Sequence, residues 1–224
     1  MSLKKTARLT GLLYFILAML GVFSLMYLPS QTVVPGDPVA TCEKILRNEL
    51  LYRIGIAVSI ITNILYVFLG LMFYQLFKGV NERLSIVLVI FVLVQTPISF
   101  IFDTLDITSL LILKGTVVKS LSVQQAQEFS ILLRKIISYG ITLMELFWGL
   151  WLVPMGILIY RSGFIPRIIG VLVLIAAIAY PAVSITFILF PDYVNSVETI
   201  AFPAFFGELS IILWLLIKGV KKGY

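Results

Sequence analysis

The sequence predicts an all-α, polytopic integral membrane protein: a bundle of six transmembrane helices with the N- and C-termini both cytoplasmic. Three observations predict it. Hydrophobic residues make up 60% of the 224-residue chain and charged residues 12%, with a mean hydropathy of +1.08, and a soluble domain of this size has too little interior to hide so much apolar surface. Six apolar runs, near 9–28, 51–77, 84–113, 137–160, 165–190 and 199–217, each reach or approach the roughly 20 residues that cross a bilayer. Lys and Arg gather on one side of these runs. With the N-terminus inside, the inner segments hold Lys4, Lys5, Arg8, Lys78, Arg83, Arg161, Arg167, Lys218, Lys221 and Lys222, ten of the 17 basic residues, against Glu82 as the inner acid. Asp37, Glu43, Glu49, Glu128, Asp192 and Glu198 fall outside, so the chain follows the positive-inside pattern.

The elements follow in order. The first run has the basic start of a signal peptide, but no small-residue cleavage pattern follows "SLMYLPSQ", and it is read as a retained helix. In "GDPVATCEKILRNELLYR", Asp37 is placed to cap a helix whose first position is Pro38. In "SLSVQQAQEF", Ser122 and Gln125 have capping-box spacing. Each of these outer helices either runs into the following span or lies on the bilayer surface. Runs one and five open alike, "ARLTGLLYFILA" and "PRIIGVLVLIAA"; an interfacial Arg followed by a close-packing Gly accounts for the likeness without a duplication. Pro97, Pro154, Pro181 and Pro203 mark kinks. Nothing is left over for a second fold, so residues 1–224 read as one transmembrane domain.

Polar residues inside the runs carry the functional signal. Gln95, Ser99, Asp103 and Asp106 form one helical stripe, as do Gly55, Ser59, Asn63 and Tyr66 on the second run and Arg134, Ser138, Thr142, Glu145 and Gly149 on the fourth. Stripes of this kind are costly against lipid and are expected to face one another. The helical rise places Glu208 roughly 15 Å above the inner surface, Glu145 and Asn63 roughly 22 Å and Asp103 roughly 28 Å, with Arg53 and Arg134 beyond the hydrocarbon. Two readings of the upper acids stand side by side. Asp103 and Asp106 line the mouth of an outward-facing pocket whose deeper wall is Glu145 and Glu208, or Asp103 forms a structural ion pair with Arg53 or Arg134. Asn63 or a tyrosine is the expected hydrogen-bond partner of the deep acids. Trp148 and Trp151 offer apolar or cation-binding faces and are otherwise core.

The chain has no histidine and one cysteine. Histidine-ligated zinc, haem and Ser-His or Cys-His catalysis are thereby excluded, as is an internal disulfide. Cys42 reads as a small packing residue, with an intermolecular disulfide as the alternative. No cofactor and no metal site is implied. The net charge of +6 sits at the inner helix ends, so it does not indicate nucleic acid. The expected partners are the bilayer and a small cationic or lipid-like ligand, with Glu208, Glu145, Asp103, Asp106, Asn63, Trp148 and Trp151 as binding residues. A structural bundle that accompanies another membrane protein is the alternative, and an intramembrane enzyme the third reading.

The segments "RLTGLLYFILAMLGVFSLMYLPS", "VPGDP", "ELFWGLWLVPMGILIYRSGFIPRIIGVL", "LFPDYV" and "GELSIILWLLIKG" resemble a family of bacterial and archaeal multipass membrane proteins catalogued as a domain of unknown function. The resemblance spans nearly the whole chain. It implies a short membrane domain of six or seven helices in a prokaryotic cytoplasmic membrane, and places Glu145 and Glu208 inside the family's own motifs. It implies no reaction and carries over no catalytic residue.

Overall fold

The computed structural model describes residues 2–221; Lys222, counted above among the inner bases, lies outside the described residues. Every regular element among the described residues is helical. In order they are α1 (Leu3–Val22), α2 (Leu28–Thr32), α3 (Pro38–Arg47), α4 (Glu49–Phe77), α5 (Glu82–Leu113), α6 (Val123–Ser162), α7 (Arg167–Leu189), α8 (Val194–Ala201) and α9 (Phe206–Ile217). Six stretches are long and apolar enough to cross a membrane: Leu3–Thr32, Glu49–Phe77, Glu82–Leu113, Val123–Ser162, Arg167–Leu189 and Pro191–Ile217. They coincide with the six apolar runs. Large apolar side chains such as Ile178, Ile188 and Ile200 stand exposed, as suits helices solvated by lipid. The protein is an integral membrane protein.

Local chemistry explains the ends of the elements. Asp37 caps α3, its Oδ1 accepting from the Ala40 N–H at 2.9 Å with Pro38 in the first turn. That helix stops at Asn48, which bonds back to the Lys44 carbonyl, so α3 is separate from α4. The Ser122 capping box forms in both directions: Gln125 N–H donates to Ser122 Oγ at 3.2 Å, and Ser122 N–H donates to Gln125 Oε1 at 2.9 Å. Here nothing interrupts the chain, and α6 runs unbroken from Val123 to Ser162. Pro97, Pro154 and Pro181 lie inside continuous helices. Pro203 instead sits in a 3-10 turn, Phe202–Phe205, that divides the last span into α8 and α9. The first span is interrupted as well, by a π-helical turn over Phe23–Tyr27 between α1 and α2. Thr10, Thr62, Thr96, Thr104 and Thr108 each donate to the carbonyl four residues back, which satisfies their hydroxyls within apolar helices.

The chain divides into two compact units. One comprises Met1–Ile16, Leu65–Thr96 and Thr142–Tyr224; the other comprises Leu17–Ile64 and Pro97–Ile141. The core of the first is built from fully buried Leu69, Phe73, Leu76, Phe77, Leu88, Leu152, Met155, Leu158, Ile159 and Ile165. Phe77 stacks between Phe73 and Phe164, with centroids 5.9 and 6.0 Å away. The second unit packs Ile45 of α3 with Tyr52 and Ile56 of α4 and Leu110 of α5. Within it, Ser109 and Ser130 share a buried hydrogen bond of 2.6 Å between α5 and α6.

Candidate functional site

In the first unit the deepest acid organises the site. Glu208 lies in the first turn of α9, just after the 3-10 turn. Gly207 beside it permits a close approach: a Cβ there would lie 2.4 Å from the Leu172 carbonyl oxygen, so α9 packs backbone to backbone on α7. On the other side of α7, a Cβ at Gly149 of α6 would lie 2.4 Å from the Pro181 ring. These contacts set α6, α7 and α9 close together and bring Tyr180 to the acid. The Tyr180 hydroxyl donates to Glu208 Oε1 at 2.7 Å, and the Tyr14 hydroxyl, from α1, donates to Oε2. The ion pairs among the described residues belong to Arg47, Arg53 and Lys114, and none reaches Glu208.

Aromatic rings pack against the two tyrosines that hold this carboxylate. Trp151 meets Tyr66 edge-on at 5.1 Å, Tyr14 at 5.9 Å and Phe73 at 6.1 Å. Trp148 meets Tyr180 at 5.7 Å with the ring planes 89° apart. Tyr66 stands within the field of Glu208 and is hydrogen-bonded by the Gln95 side chain. Glu145 lies within electrostatic reach of Tyr180 and of Glu198. Three residues before it in α6, the Thr142 carbonyl accepts from Ser184 Oγ at 2.6 Å, which ties α7 to α6. Tyr14 and Trp151 are buried, whereas Glu208, Tyr180, Trp148, Tyr66 and Glu145 are half-buried.

The second unit holds the other acids. Asn63 Nδ2 donates to Asp103 Oδ2 at 2.9 Å, and Ser59 is also hydrogen-bonded to Asp103. The stripe of α4 therefore faces the stripe of α5 in this unit. The expected pairing of Asp103 with Arg53 or Arg134 is not what forms. Arg53 turns to Glu49, one helical turn back, at 2.7 Å, where Lys114 also converges. Arg134 Nη1 donates to the Tyr52 hydroxyl at 2.6 Å, and that hydroxyl donates to Asp106 Oδ1 at 2.6 Å. A tyrosine thus links the base to the acid, and it links Arg134 to Asp106, not to Asp103. Asn63 is engaged by Asp103, so tyrosines alone fill the place expected of Asn63 or a tyrosine beside Glu208.

Cys42 is fully buried in the same unit, beside Ser130, and burial pushes its thiol above the usual range. A disulfide to another molecule would require this site to open. No group of three or more His, Cys, Asp or Glu side chains placed to hold a metal ion occurs among the described residues.

Comparison with known proteins decides the family. The family model described as "Domain of unknown function (DUF4386)" matches residues 9–219, almost the whole chain. The chain belongs to the DUF4386 family. A similar segment occurs in an "Uncharacterized protein" of the archaeon Archaeoglobus fulgidus, 38% identical over 76 residues, or 34% of this chain and 44% of that protein. The match thus spans less than half the length of that curated relative. No solved structure matches.

For this DUF4386 protein, Tyr14, Tyr180 and Tyr52 are the site residues that sequence reasoning missed. A usable signal was present. The same rise that places Glu208 roughly 15 Å from the basic end of its span places Tyr14 and Tyr180 roughly 9 and 20 Å from the basic ends of theirs, bracketing the acid.

Proposed function

We propose that this DUF4386 protein binds a small organic cation, an alkylammonium or amphipathic amine, at Glu208. One observation carries the reading: a carboxylate within the membrane spans is held by two phenol hydroxyls, and each of those phenols packs against a tryptophan ring. A carboxylate has about four lone-pair sites, and the two hydroxyls engage one on each oxygen, leaving acceptor capacity for a ligand. The rings supply faces that attract cations, worth roughly 2 kcal/mol when desolvated. Glu145 extends the negative field toward Tyr180. An intramembrane acid without a basic partner is a functional-site candidate by default.

The cation and a proton compete for Glu208, so affinity falls as the pH drops through the carboxyl's titration. The test is a thermal-shift titration of purified protein with tetraethylammonium and with dodecyltrimethylammonium from pH 5 to 9. Stabilisation should rise with pH and vanish in Glu208→Gln. Equal stabilisation of the wild type and Glu208→Gln at every pH would leave Glu208 a structural hydrogen-bond acceptor, as in an accessory bundle.

The same reading sets both termini on the cytoplasmic side of a prokaryotic cell membrane. The charge distribution supports the orientation, and the archaeal relative supports the source. Terminal tags should resist external protease in intact cells; cleavage of either from outside would reverse the topology.

A further inference from the structure

We infer that a second site, independent of Glu208, binds an acidic phospholipid of the surrounding bilayer. A groove of about 550 Å³ on the first unit is lined by Ser2, Lys4, Lys5, Arg8, Leu9, Leu12 and Leu216. Three of its seven lining residues are cations and none is an acid. The ion pairs among the described residues involve none of these cations.

The groove is graded. Lys4, Lys5 and Arg8 occupy the opening turns of α1, and Leu9 and Leu12 follow at 41% and 47% exposure. Lys5, Arg8, Leu9 and Leu12 fall on one helical face, so charge passes into apolar surface along a single line. Leu216, from α9, continues the apolar part. A ligand that satisfies both ends carries a phosphate next to an alkyl chain. Because α1 belongs to a membrane span, that ligand is supplied by the bilayer itself.

The cations are not free to swing away as a group. Arg8 Nη2 donates to the Ile217 carbonyl at 3.4 Å, near the C-terminus of α9. At Gly219, with φ +71°, an added Cβ would lie 3.3 Å from the Lys4 carbonyl oxygen and 3.4 Å from Arg8 Cγ. The end of α9 thereby seats the start of α1, and a bound headgroup would bridge Arg8 to Lys4 and Lys5. Attraction of a basic cluster to anionic lipid falls off within a Debye length and is screened by salt.

The experiment measures thermal stabilisation of the full chain in detergent by added phosphatidylglycerol, phosphatidylcholine or inorganic phosphate. Phosphatidylglycerol should raise the melting temperature well above phosphatidylcholine, inorganic phosphate should not, and the gain should shrink in high salt. Lys4→Gln/Lys5→Gln, which spares the Arg8 contact and so the seat of α1, should lose most of the gain. Lys78→Gln/Arg161→Gln, an equal loss of charge elsewhere on the chain, should keep it. An equal loss in both double variants means bulk charge and overturns the site. Equal stabilisation by inorganic phosphate overturns the lipid as ligand, and no preference for phosphatidylglycerol overturns both.

Discussion

Tyr14 and Glu208 stand 194 residues apart and share a hydrogen bond, the phenol donating to carboxylate Oε2. It ties the first span to the last. Tyr180 holds the other oxygen. Tyr14→Phe and Tyr180→Phe should each lower stability by about 0.5–2 kcal/mol, the range from measured hydrogen bonds within membranes to those made with charged groups. Reversible unfolding in mixed micelles would measure this. Each phenylalanine variant should couple to Glu208→Gln in a double-mutant cycle, and additive effects would refute the shared node.

Asp103 depends on an amide rather than on an arginine. Asp103→Asn should couple energetically to Asn63→Ala by about 0.5–2 kcal/mol and to Arg53→Gln hardly at all. The contrast is the test: strong coupling to Arg53 with none to Asn63 would restore an ion pair.

Two glycines should respond in opposite directions. At Gly207 a methyl group meets the Leu172 backbone at 2.4 Å, so Gly207→Ala should destabilise by about 1–3 kcal/mol and disturb Glu208. At Gly21 nothing lies within 4 Å of an added Cβ, and Gly21→Ala should stabilise α1 by up to roughly 1 kcal/mol. Melting temperatures of the two variants should move apart.

Cys42 predicts a pH dependence whose sign is fixed. Burial raises the folded thiol's pKa above that of the unfolded chain, so the neutral thiol is favoured in the native state. The resulting stability is complete below the unfolded thiol's pKa and is lost as pH rises through the folded one. Native protein should react with maleimide far more slowly than denatured protein at pH 8. Cys42→Ala should remove part of the loss of stability above pH 9. Rapid native labelling would mean the residue is accessible.

What the sequence made legible was whatever depends on one helix at a time. Apolar run length located the six spans, and local side-chain geometry gave the Asp37 cap and the Ser122 box. Stripe periodicity was enough to face the α4 stripe toward the α5 stripe, although Asn63 was expected at the deep acids and meets Asp103 instead. The partners across helices were less legible. Depth along the chain fixes height but not azimuth, so Arg53 and Arg134, at the outer rim above Asp103, were compatible partners by height while nearer groups claimed them: Glu49 one turn away and Tyr52. Tyr14 was hidden for another reason. A phenol inside a long apolar run carries no hydropathy signal that separates it from packing, and its height along the run points to it only once a baseless acid is seen to need donors.

The π-helical turn at Phe23–Tyr27 bears on how this family is aligned. A π turn closes its hydrogen bonds over five residues where an α turn uses four, so it absorbs one extra residue while the helix continues on either side. A relative that lacks the turn would be one residue shorter between Val22 and Leu28, with the faces before and after it unchanged. An alignment that refuses a gap there would shift Tyr14, or everything after Leu28, by about 100° around the helix axis. The phenol that holds Glu208 would then be compared with the wrong residue in every sequence of that kind.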